Sequence, residues 1–157
     1  MDKVKLEIVT PEKTVYTAEV DQVSLPTGLG EITVLPHHIP LVSTLRAGRV
    51  KIIIDGREEY LAISSGFIEI QPHRVVVLTE TAERAEAVDL VRAQIARDRA
   101  QASLKEERLN KEEYAIVVSA LEKELVRIRV AERHRERRMS HQVERAERDG
   151  GGQETGI

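Results

Sequence analysis

The residues of this chain best suited to chemistry are few. His37 and His38 stand side by side. Adjacent residues on an extended chain point to opposite faces, and no third ligand stands at helical or hairpin spacing, so the pair does not read as a metal site. Gly28-x-Gly30 has the first half of a dinucleotide fingerprint, but the third glycine and the following helix are missing. There is no G-x-x-x-x-G-K-[ST] segment, no Cys to act as nucleophile, and no nucleophile–base arrangement. A stand-alone enzyme has no supporting residues here. What remains is charge. Asp89 and Arg92, three residues apart, make an ordinary intrahelical pair. Arg127, Arg129, Arg133, Arg135, Arg137 and Arg138 stand against only Glu132 and Glu136 in their stretch. That excess suits either a solvated helix face laced with Glu pairs or an acidic partner surface.

These residues need elements to hold them. The chain has 157 residues, 41% hydrophobic and 32% charged, with aromatics at 3% and no Trp. A core must therefore be built from Val, Ile and Leu. The absence of Cys excludes disulfides and fits a reducing compartment. No apolar run is long enough to span a membrane, and no signal peptide precedes the first strand pattern. Val4, Leu6 and Ile8 alternate with Lys3, Lys5 and Glu7, as in a half-buried strand. Short strands are also expected at Val15–Val20, Val23–Pro26 and Glu31–Val34. Asp55-Gly56 between Val50–Ile54 and Glu59–Ile63 signals a tight hairpin. Gly66–Ile70 and Val75–Leu78 make another. So many short strands imply a β-sandwich, a flattened barrel of about ten strands.

From Ala87 the alternation gives way to helical spacing. Val88, Val91 and Ile95 form one stripe, and Ala93, Ala96 and Ala100 a second beside it. Alanines allow a close helix contact that buries little area and is easy to break. Asn110 is an N-cap candidate with Glu113 at the capping-box position. Tyr114, Val117, Leu121, Leu125 and Ile128 then space a coiled-coil-like seam. The fold class is thus α+β: a sandwich over residues 1–84, an antiparallel two-helix hairpin over 87–148, and a disordered tail over 149–157. The helices are expected at about 87–107 and 111–147. Residues 1–83 carry 8 Lys+Arg against 12 Asp+Glu, and residues 84–157 carry 16 against 15, consistent with two parts facing different partners.

One stretch carries more than composition. Residues 24–41 hold Gly28, Gly30, Pro36 and Pro40 among apolar residues, a rigid corner of pattern G-x-G-E-(x)3-L-P-x-H-x-P-L. With Gly66-Phe67, the triple Val before Leu78 and Thr81–Glu86, this corner resembles the epsilon subunit of bacterial F-type ATP synthases. The resemblance covers roughly residues 1–132.

The resemblance implies a non-catalytic rotor subunit of the central stalk, coupling proton flow through a membrane ring to ATP synthesis. It implies docking of the sandwich on a gamma subunit and on the ring of c subunits, with Glu31, His38 and Pro40 near the ring. It implies a helical hairpin that brakes ATP hydrolysis by extending into the catalytic head, where Arg127, Arg129 and Arg133 would meet an acidic segment of the beta subunit. The expected place is peripheral, on the cytoplasmic face of the bacterial cell membrane. No cofactor is required, but Val88–Ala93 resembles the I-D-x-x-R-A motif with which some relatives bind ATP as a regulatory ligand, with Val88 in place of Ile. On that resemblance Glu83, Asp89, Arg92, Arg99, Lys123 and Arg127 form the ligand set, Lys123 standing where an arginine is usual. Residues after about 135 exceed the common family length. A competing reading of another class is a β-domain with a basic helical arm for nucleic acid, which steep salt dependence would favour.

Overall fold

The computed structural model describes residues 2–106 and 108–150. Ten strands come first: β1 (Val4–Val9), β2 (Thr14–Val20), β3 (Gln22–Thr27), β4 (Gly30–Val34), β5 (Leu41–Leu45), β6 (Gly48–Ile54), β7 (Arg57–Ile63), β8 (Gly66–Gln71), β9 (Arg74–Thr79) and β10 (Ala82–Arg84). They pair in the order β10-β7-β6-β3-β5-β8-β9-β1-β2, with β4 on β3. Among the described residues, only β1 and β9 are parallel. The joint between β3 and β5 is a single pair, Thr27 opposite Leu45, the narrowest in the sheet.

The core between the layers is made of the period-two residues. Val4, Leu6 and Ile8 of β1, Leu61 and Ile63 of β7, Ile68 and Ile70 of β8, and Val75 and Val77 of β9 are all buried in one cluster, with Tyr16 its single aromatic. Asp55 and Gly56 both have positive φ, the geometry of a two-residue hairpin turn whose twist matches its strands. Gly66 is needed for a different reason. A Cβ there would stand 2.0 Å from the Leu78 carbonyl oxygen, so β8 and β9 approach as closely as they do only without a side chain.

Two strands are absent from the sequence reading, β5 and β10. Both are short, and β5 begins directly after Pro40; pairing with β8 and β7 defines them.

The helices also differ from expectation. Ala85–Ala87 forms a 3-10 turn and α1 runs Leu90–Glu106, so the helix begins three residues later than 87. The Asp89 carboxylate accepts the Arg92 N–H at 3.1 Å and thereby caps α1. The second helix, α2, runs Lys111–Gly150, past the expected end at 147 and into the stretch expected to be disordered from 149. The rest of that expected tail, 151–157, lies outside the described residues. The capping box forms as expected: the Glu113 N–H donates to Asn110 Oδ1 and the Asn110 N–H to Glu113 Oε2, both at 2.9 Å.

Of the two stripes read on α1, the alanine one faces inward. Ala93 is fully buried, whereas Val91 and Ile95 are exposed and Val88 precedes the helix. The α2 seam is likewise buried only at its far end, at Ile128, while Tyr114 stands exposed. Val88, Leu90 and Ala93 pack against Ile128 and Ala131. Val130 and Val126 pack with Tyr60 and Ala62 on the outer face of β7 and with Ala85 of the 3-10 turn. The start of α1 meets the middle of α2, so the hairpin is antiparallel, and it lies against the sandwich through α2.

Candidate functional site

Three of the six expected ligand residues converge. Ala62, Ile63, Thr81, Ala82, Glu83, Lys123 and Arg127 line a cleft of about 270 Å³ between β7, β10 and α2. β10 brings Glu83 to this edge through its pairing with β7, Glu83 standing opposite Ala62. α2 brings Lys123 and Arg127, one turn apart on the same side. Arg127 holds Glu83 with both arms of its fork, Nε donating at 2.7 Å and Nη2 at 3.3 Å, while Nη1 donates to Glu124 at 2.7 Å. The hydrogen bond to Glu83, helped by the one to Glu124, raises the guanidinium pKa further above its ordinary value. In this state Arg127 already engages both carboxylates. A phosphate group entering the cleft has to compete with Glu83 for the guanidinium.

The other three residues do not line this cleft. Asp89 caps α1 and pairs with Arg92 at 3.7 Å, and the Arg92 side chain is 85% exposed. Arg99 stands exposed farther along α1. Sequence reasoning missed Glu124, the most buried carboxylate of the group. Its spacing of three from Arg127 was the available signal.

The expected partner corner divides into two places. Glu31 lies opposite Pro26 beside the β3–β4 turn, near the Leu45 end of β5. His38 and Pro40 precede the Leu41 end, where His37 donates its backbone N–H to the Pro72 carbonyl. His37 and His38 have separate partners: His37 Nε2 lies 2.9 Å from Asp2, and His38 Nδ1 lies 2.7 Å from the Ile39 carbonyl. Leu29, at the tip of the β3–β4 turn, is fully exposed, as Ile39 largely is. Of the arginines expected at an acidic partner, Arg127 is held by Glu83 and Glu124, whereas Arg129 and Arg133 are exposed.

A further surface follows from register. Thr44, Phe67, Leu78 and Val9 stand opposite one another across β5, β8, β9 and β1, with Val42 and Val76 one row away. Phe67 is 58% and Val42 72% exposed. The outer face of this layer therefore carries an apolar patch, interrupted by Glu69, that none of the described residues covers. The signal for it was Val75-Val76-Val77-Leu78, a continuous apolar run rather than an alternation, as expected of a strand buried on both faces.

Comparison with known proteins places these features in context. Residues 3–85 match the family model described as ATP synthase, Delta/Epsilon chain, beta-sandwich domain. The chain is 46% identical over 136 residues to the ATP synthase epsilon chain of Dehalococcoides mccartyi, covering 86% of this chain and 96% of that one. It is 39% identical over 130 residues to the ATP synthase epsilon chain of Geobacter sulfurreducens, covering 83% and 94%. In fold it resembles a chain in the Euglena gracilis mitochondrial ATP synthase (OSCP/F1/c-ring), with a TM-score of 0.65 at 22% identity over 78% of this chain and 77% of that one.

Proposed function

Since the chain belongs to the ATP synthase epsilon chain family, we propose that it is the central-stalk subunit whose sandwich rides on the rotor and whose helical hairpin restrains ATP hydrolysis. The subunit is not itself catalytic. The sandwich couples proton flow through the membrane ring to ATP synthesis by fixing that ring to the stalk. Its exposed patch of Val42, Phe67 and Leu78 supplies the apolar contact for the gamma subunit. The exposed tip at Leu29 with Glu31, and the corner at His38 and Pro40, serve the ring of c subunits. Attachment to these partners holds the chain peripherally, on the cytoplasmic face of the bacterial membrane. Among the described residues no helix is long and apolar enough to cross a membrane.

The observation that carries the brake is how the two parts meet. The sandwich core is a cluster of strand residues only. The hairpin joins it through small apolar contacts around Ala62, Ala85 and Val130 and through arginine–carboxylate pairs. Such an interface is readily exchanged for another, giving a two-state equilibrium that partners bias by differential contact. In the extended state Arg127, Arg129 and Arg133 face an acidic surface of the beta subunit. ATP is a regulatory ligand of the docked state, held at the Glu83, Lys123 and Arg127 cleft. A ligand specific to the docked state favours it by about 2.7 kcal/mol at a hundredfold excess over its Kd. The nucleic-acid reading of the basic arm is set aside, since Arg127 and Arg137 already spend their charge on Glu83, Glu124 and Glu58.

Arg129 and Arg133 give the cleaner test, because Arg127 also holds the docked state together. Arg129→Ala with Arg133→Ala is expected to raise ATP hydrolysis by the assembled enzyme while assembly is unchanged. Unaltered hydrolysis would rule out the brake.

A further inference from the structure

α2 and β7 run antiparallel along one another. Four helical residues advance about 6 Å and two strand residues about 6.7 Å, so the inward positions of α2 keep step with alternate residues of β7. Val126 and Val130 pack with Ala62 and Tyr60. His134 follows, beside Tyr60 and Glu58. Arg137 is the next rung. Its Nη1 donates to the Glu58 carboxylate and to the Tyr60 hydroxyl, and its guanidinium lies 4.8 Å from the centre of the Tyr60 ring. The Tyr60 hydroxyl also donates to Glu58, and Lys51 holds the other Glu58 oxygen at 2.6 Å. Glu58 is thus preset by its own sheet before the helix arrives. β7 begins at Arg57, immediately after the Asp55-Gly56 turn, so the strand offers α2 nothing beyond this rung. Met139, Val143 and His141 stand exposed past it.

α1 pairs with α2 only as far as Ala131 in their shared cluster. Beyond it, among the described residues, α2 meets the sandwich and the 3-10 turn that follows β10. We propose that the Glu58–Tyr60 edge of β7 is a docking surface whose occupant is the Arg137 segment of this same chain, a latch that sets how firmly the second half of α2 lies on the sandwich. The latch is a property of the isolated chain and does not rest on the brake described above. Its components are a charge-assisted hydrogen bond, a phenol shared between donor and acceptor roles, and a cation over an aromatic face.

Amide hydrogen exchange on the full chain tests it, with Arg137→Ala, Arg137→Lys, Glu58→Gln and the double variant of alanine and glutamine. Exchange of α2 amides at residues 126–137 is expected to quicken at least about threefold in Arg137→Ala, with strand amides unmoved, and to quicken likewise in Glu58→Gln, where β6 and β7 amides also loosen through the lost Lys51 pair. Lysine keeps the charge but not the planar fork, so Arg137→Lys restores part of the protection. The double variant should exchange no faster than the faster single one, because both remove the same contact. Unchanged α2 exchange in Arg137→Ala, or an equal rise throughout the strands, overturns the latch. If the alanine variant does not fold, Arg137→Lys decides: a rise confined to α2 supports the latch, and no rise overturns it.

Discussion

Arg127 shows how one side chain can be asked to do two jobs. Docked, it neutralises Glu83 and the buried Glu124. Removing it leaves two carboxylates without their counter-charge, the costly direction for a partly buried pair. Arg127→Ala is expected to destabilise the docked hairpin by about 2 kcal/mol, read as a lower denaturation midpoint for the helical signal. Glu58 gives the pH dependence. The hydrogen bond from Lys51, with those from Tyr60 and Arg137, pulls its carboxyl from 4.5 down to about 2. A lowered carboxylate pKa contributes stability that is fully present above 4.5 and is lost as pH falls towards about 2. The thermal midpoint should therefore drop across that window, and Glu58→Gln should flatten the drop. His134 is the weak point nearby: among the described residues its Nε2 is the buried side-chain atom left without a partner. The sequence marks it only as one more polar residue in a basic run.

Among the elements, the α1–α2 contact is the most readily altered. It turns on Ala93, fully buried against Ile128 and Ala131. A larger residue has no room without moving α1. Ala93→Leu is expected to weaken the hairpin by about 1–3 kcal/mol through overpacking, leaving the strands untouched. Exchange rates of α1 amides against those of β8 and β9 check this. The strands were legible because Val4, Leu6 and Ile8, or Ile68 and Ile70, declare an inner face by alternation. β5 and β10 were not legible, since each is a strand only by virtue of the neighbour it pairs with. The inward stripe of α1 was visible as a choice between two, Val88–Ile95 and Ala93–Ala100. The choice fell to the alanines because close approach of α2 required small residues there, and no local propensity expresses that requirement.

For the whole molecule, the decisive property is that one core is self-contained and the other is not. Because strand residues alone fill the sandwich core, a fragment of residues 1–87 is expected to fold as an all-β unit. It should melt cooperatively, with Tyr60 and Ala62 newly exposed where Val130 had covered them. A non-cooperative melt by circular dichroism would show instead that the hairpin completes the fold.

The division into a strand-built base and a helical arm, the tight Asp55-Gly56 turn, the Asn110 cap and the family could all be read along the chain, since each rests on the spacing of nearby residues. The family resemblance also implied a ligand set, from Glu83 of β10 through Asp89, Arg92 and Arg99 at and along α1 to Lys123 and Arg127 of α2. Which of these meet was decided only by tertiary structure. Glu83 reaches Arg127 across 44 positions and Glu58 reaches Arg137 across 79, and contacts that distant in sequence exist only because β7 gives α2 a surface to lie along.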